Sequence, residues 1–361
     1  MKSKKRIITV LLAVVMSLTF VGCNMQDTTW AFEQNGVRMP SGVYLYYMLS
    51  AHNEAVERYM EENEADSEPS LADIRRAQID GQTGEAWIAN RAWEMVMEHY
   101  GLLYQFQTLG LSLSEEAISA NTSVAENTWN AASRYFEANG VAQSSLEIAL
   151  LNHRKRDQVF QTLYGAGGAF EISDAELMSR FEEDFVKVES ITISAWDFAD
   201  EEDEAPDFDE LLEEARTAAA SYLERLNTGT PMSHIVAEHF MGITVSPESA
   251  GQIVDQSEYT TILFRSDLEH FGEIGEAIES ATNIFSLTET ETGIFIVRQA
   301  SLSDDPENLE RHRHHLMTEM KHEEFLERLR EWGEATSPVA NQAAISRYTV
   351  SRLQTDFESF M

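Results

Sequence analysis

Residues 271 to 299 read FGEIGEAIESATNIFSLTETETGIFIVRQ, and this stretch permits few architectures. Ile274 to Ala281 predicts a helix. Ile294, Phe295, Ile296 and Val297 then form a short apolar run of β-branched and aromatic side chains, opened by Gly293. Four residues are too few for a helix of their own, and their composition suits a buried strand. Such a strand set among helices makes the chain α+β.

The flanking sequence predicts mostly helix. Thr28 to Pro40 alternates around Asn35-Gly36, a pair suited to a tight hairpin turn, with Trp30, Phe32, Val37 and Met39 expected on one face. Val43, Tyr47, Ala51 and Ala55 then repeat at helical spacing. Further helices are predicted over 84–109, 112–138, 146–164, 211–226, 231–239 and 306–332. Ser112 with Glu115, and Ser173 with Glu176, have capping-box spacing. Leu146, Leu150, His153, Asp157, Phe160 and Tyr164 form one line, whose polar members suggest a wet edge. Gly165 to Gly168 lacks the lysine and spacing of a phosphate loop and reads as a hinge. VKVESITI, 186–193, alternates as a strand does.

Charge excludes some partners. A formal net charge of −36 over 361 residues repels nucleic acid and anionic membrane surfaces. Metal sites are also disfavoured. The acidic run 200–210 lacks EF-hand spacing and its glycine, and predicts a solvated loop. His315, Glu319 and His322 share a helical face, but Leu326 stands where HExxH needs its second histidine. That region, His312 to His322, reads as a solvated face, and no metal or other cofactor is expected.

The N-terminus addresses the chain. Lys2, Lys4, Lys5 and Arg6 precede the apolar run Ile7 to Phe20, and Val21-Gly22 leads into Cys23, the single cysteine. This pattern is a secretory signal. It resembles the lipobox of a bacterial lipoprotein, which implies lipidation of Cys23 and a location on the extracytoplasmic face of the cell membrane. Two acyl chains hold stably where one is marginal.

The order of elements resembles the PrsA/SurA-type foldases. An N-Gly turn leads into an aromatic-rich helix, helices run to a glycine hinge, and ISDAEL opens the next segment. Gly293 and Ile296-Val297 match the end of the parvulin-type isomerase pattern, and residues 211–239 match its helical pair. The resemblance implies a signal peptide at 1–22 and a helical chaperone domain at 23–172. A small parvulin-like α/β domain at 173–300 is then inserted, and 301–361 returns to complete the helical domain. The family's two site histidines are replaced by Ser190 and Phe295, which with Phe264 would be remnants of the proline pocket. The resemblance implies a lipid-anchored chaperone whose clients are unfolded or newly secreted polypeptides, held by apolar side chains such as Tyr44, Tyr47, Met48 and Phe160. A homodimer is compatible with it. The alternatives are an active prolyl isomerase, with His234 or His239 taking the polar role, and a solute-binding lipoprotein. The latter calls for two lobes of repeated strand–helix units, which this sequence does not offer.

Overall fold

In a computed structural model the residues described are 28–63, 67, 69–199, 207–243, 246–290 and 293–360. Cys23 and its leader, with most of the acidic run, lie outside them. Two compact units emerge. The first takes the chain up to Phe170 and again from Lys321, and the second is Glu171–Met320. The architecture is α+β and mostly helical, a helical unit split in sequence by a smaller unit that carries a four-stranded sheet.

The first unit begins with the hairpin β1 (Trp30–Gln34) and β2 (Val37–Pro40). Asn35 and Gly36 both take positive φ, 50° and 82°, the backbone that a two-residue turn requires. Phe32 pairs with Met39 and both are buried. Val37 sits at the turn end and is exposed, and a bulge lies between Trp30 and Phe32, so the expected four-residue face narrows to two. The helices α1 (Ser41–Asn63), α2 (Leu71–Arg76), α3 (Gly84–Thr108), α4 (Glu115–Ala138) and α5 (Gln143–Tyr164) follow, with the two-residue strands β3 (Gln78–Ile79) and β4 (Gln82–Thr83) before α3. Val43, Met48, Ala51 and Ala55 of α1 meet Ile88, Val96 and Tyr100 of α3 and Leu146 of α5 in one core. The cap of α4 is Ser114, which accepts from the Ala117 amide at 3.1 Å, rather than Ser112. The Ser112 carbonyl instead accepts from Gln158.

The C-terminal tail finishes this unit. Strand β9 is Val339–Ala340, and Ala340 pairs with Phe32. The Asn341 side chain donates to the Trp30 carbonyl at 2.9 Å. Buried Asn139 grips the Gln354 backbone twice, donating to its carbonyl at 2.9 Å and accepting from its amide at 2.8 Å. Val350 and Leu353 enter the core.

The second unit opens with α6 (Asp174–Asp184), whose capping box of Ser173 and Glu176 forms as expected. Its sheet has the order β6-β5-β8-β7, all antiparallel, from β5 (Phe185–Ile193), β6 (Thr260–Phe264), β7 (Ser286–Thr290) and β8 (Gly293–Ala300). Between β5 and β6 lie α7 (Phe208–Asn227), α8 (Met232–Met241) and α9 (Pro247–Ile253), and α10 (Glu273–Ser280) precedes β7. The long helix α11 (Pro306–Thr336) follows β8, and α12 (Gln342–Arg347) belongs to the tail.

Candidate functional site

Strand alternation divides the central sheet into two chemically different faces. On one, Val186 and Val188 of β5 join Phe295 and Val297 of β8 under Ala277 and Ile278 of α10. On the other, Ile191, Ile193, Ile294 and Ile296 pack against Ala215, Ala219 and Tyr222 of α7 and Ile235 and Val236 of α8.

Ser190 pairs with Val297, and Phe295 with Thr192, so both fall on the α10 face. Phe295 is 5% exposed among apolar neighbours. Phe264 does not join them. It pairs with Phe185, their rings 4.3 Å apart, and the odd-numbered residues of β5 point to the opposite face. There Phe264 also meets His315 edge-on at 5.5 Å. The expected pocket of Ser190, Phe264 and Phe295 is therefore not assembled. Nor do the α8 histidines serve it, because α8 covers the other face. His315 also lies 3.8 Å from Glu319, and no group of three or more His, Cys, Asp or Glu placed to hold a metal occurs among the described residues.

His239 has a different task. Its side chain is nearly fully buried, and its Nε2 lies 3.0 Å from the Asp197 carboxylate. Asp197 also accepts from the Ser194 amide at 2.7 Å, closing a capping box around the short turn Ala195–Phe198. The link ties that turn to the end of α8. Ala195 points inward, and Trp196 is left outside, 61% exposed. Phe208 stacks obliquely on Trp196 at 5.6 Å, and Phe240 meets His239 edge-on at 4.6 Å. Phe240 is 60% exposed, Phe208 46% and Met241 44%. A paired Arg225–Glu238 contact, 2.7 and 2.9 Å, braces α7 against α8 beneath them, and the arginine holds the Glu238 carboxyl below its usual range. Four large apolar side chains are thus exposed on the segments that this polar link joins.

Tyr44, Met48 and Phe160, expected to hold clients, are core residues instead. Phe160 stacks on Tyr164 at 4.9 Å and meets Phe325 at 5.2 Å. Tyr47 is part-buried in a polar knot: its hydroxyl lies 2.9 Å from His99 Nδ1, which also receives Asn152 Nδ2 at 2.8 Å. Closed off from water in this knot, the His99 ring is disfavoured in its charged form. Burial pushes the Tyr47 hydroxyl up to about 12, and burial, with Lys155 and Arg156 nearby, pushes His99 down to about 3.

The consequence is acid sensitivity with a defined sign. Above about pH 6.5 His99 is neutral in both folded and unfolded chains and contributes no pH dependence. As pH falls below that, the unfolded chain takes a proton that the native state refuses. Stability then drops by up to about 1.4 kcal/mol per pH unit until the native imidazole also titrates. Denaturant titrations from pH 7 to 4 are expected to lose about one proton of linkage in His99→Gln. An unchanged slope would contradict the buried neutral ring.

No protein-family model matches the sequence, and no curated protein matches it either. Among solved structures, the chain is similar to the foldase protein PrsA of Streptococcus pneumoniae, with 12% identity over 72% of this chain and 88% of that one, at a TM-score of 0.30. It is similar to PrsA of Lactococcus lactis at 11% identity, covering 90% and 99%, with a TM-score of 0.31. PrsA of Bacillus subtilis gives 11%, 72% and 90%, with a TM-score of 0.26. Similarity at this level assigns no residue of this chain a role.

Proposed function

We propose that this protein is an extracytoplasmic chaperone of the foldase class, lipid-anchored through Cys23, which holds unfolded or newly secreted polypeptides without isomerising their proline bonds. In this reading the second unit is a parvulin-like domain whose isomerase site is degenerate, inserted between a chaperone domain at 23–172 and its returning segment 301–361. The observation that carries it is the exposed group of Trp196, Phe208, Phe240 and Met241 around the His239–Asp197 link. Each such side chain contributes about 1.5–3 kcal/mol when a partner buries it fully. Removing two of them therefore weakens client capture by tenfold or more. The α10 face argues against turnover, since Phe295 has no hydrogen-bonding group and Ser190 a single hydroxyl.

The test is suppression of aggregation of a denatured substrate by wild type and by Trp196→Ser/Phe240→Ser. Both positions are on the surface, so the fold survives the change. The expected result is a tenfold or larger rise in the chaperone concentration needed. Equal suppression by the two proteins would reject this surface as the client site.

A further inference from the structure

The α7 face of the sheet changes character along its length. Past the isoleucines its floor is ionic, formed by Lys187, Glu189 and Arg298, with Thr260 of β6 paired to Glu189 and thus on the same side. A cleft of about 530 Å³ opens over this floor, with Gln256, Asn283 and Asp304 among its walls. Arg298 is fully committed: its guanidinium grips Glu189 at 2.8 and 2.6 Å and lies 4.5 Å over the Phe285 ring. Lys187 is not. It is 7% exposed, yet among the described residues it forms no ion pair. Close by, the Thr260 hydroxyl is also buried without a partner. The Lys187 ammonium, on a side chain otherwise buried, opens into the cleft without an ion-pair partner among the described residues, and is free to meet an anion there.

We propose that this cleft is a carboxylate-binding site, with the Lys187 ammonium as its charged donor. The surrounding charge selects the ligand. Among the described residues that line it, Lys187 is the one cation without an ion pair, while Glu189, Asp304 and Asp305 border the same space. Asp305 is occupied, accepting from the Glu307 amide at 3.0 Å and facing Arg311 at 3.5 Å, but it still repels a second negative charge. A monoanion is matched by one ammonium, and a phosphate dianion is over-charged for it. The carboxylate comes either from a small organic acid or from the C-terminus of a polypeptide.

Backbone amide NMR of the full chain, at constant ionic strength and pH 7, tests this. The probes are acetate, N-acetyl-trialanine with a free carboxylate, its C-terminal amide, and inorganic phosphate. Saturable shifts at residues 187–189, 260 and 298–301 are expected with the free acids and not with the amide. Tighter binding of the peptide acid than of acetate assigns the site to chain termini, and equal binding assigns it to small acids. Lys187→Met removes an unpaired charge and keeps the buried stem, so it folds, and it is expected to bind at least tenfold more weakly. Lys187→Arg is expected to keep binding. Absence of saturable shifts, equal shifts in Lys187→Met, or tighter binding of phosphate would each overturn the proposal.

Discussion

Gly101→Ala is expected to destabilise the helical unit, although the same exchange in an exposed helix interior stabilises by about 1 kcal/mol. The sign reverses because a Cβ at Gly101 of α3 would sit 1.9 Å from the Leu329 carbonyl oxygen of α11. The contact is reciprocal, since a Cβ at Gly333 would sit 1.9 Å from the Met97 carbonyl oxygen. Positions 97 and 101 on α3 thus face 333 and 329 on α11, one helical turn apart on each, and both helices approach backbone to backbone. Backbone oxygens cannot swing aside as a side-chain tip does, so the helices must separate and expose Leu329 and Met97, both buried. Gly101→Leu is expected to cost about 3 kcal/mol or more in urea unfolding. Gly101→Ala with Gly333→Ala is expected to cost less than the sum of the singles, because one separation relieves both clashes. Stabilisation by either single Ala variant would contradict the close crossing.

Purified protein is expected to leave a proline-containing test peptide within a few-fold of its uncatalysed isomerisation rate. The barrier is about 18–20 kcal/mol, and lowering it requires polar groups that favour the twisted amide. A single such hydrogen bond in a dry site supplies a few kcal/mol, or a hundredfold and more in rate. Phe295 is buried among Val188, Val297 and Ile278 and offers neither donor nor acceptor. Ser190 carries one hydroxyl, and His234 and His239 belong to the helix on the other face. Acceleration of a hundredfold or more would contradict this, and would place catalysis at groups other than these.

Much of the fold was legible in the sequence where local chemistry and burial agree. Asn35-Gly36 announced its hairpin, Ser173 with Glu176 its helix start, and the run Ile294 to Val297 its central strand. The edge strands β6 and β7 were not legible. Thr260 to Phe264 and Ser286 to Thr290 are half-exposed, so they carry no sustained apolar pattern for burial to write. The cap of α4 falls at Ser114 rather than Ser112 because both serines offer the same chemistry, and geometry alone chooses between them. The site was harder still. Tyr44, Met48 and Phe160 are aromatic or apolar residues on helices, a pattern that core and binding surface write alike. The surface group was hidden because its members come from a turn, a helix start and a helix end. A signal did exist in Trp196, a large ring just past a strand and outside its alternation. Another was Lys187, which shares the parity of Ile191 and Ile193 and so points to a covered face.

Contact mapping shows most directly where an unfolded chain touches this protein. A photo-crosslinking side chain placed at 240 is expected to capture a denatured client in good yield. The same group at 284 or 339, where Ile284 and Val339 are 62% and 65% exposed, is expected to capture little. Equal capture at all three positions would show that exposure alone governs contact, and would contradict a client surface around Trp196 and Phe240.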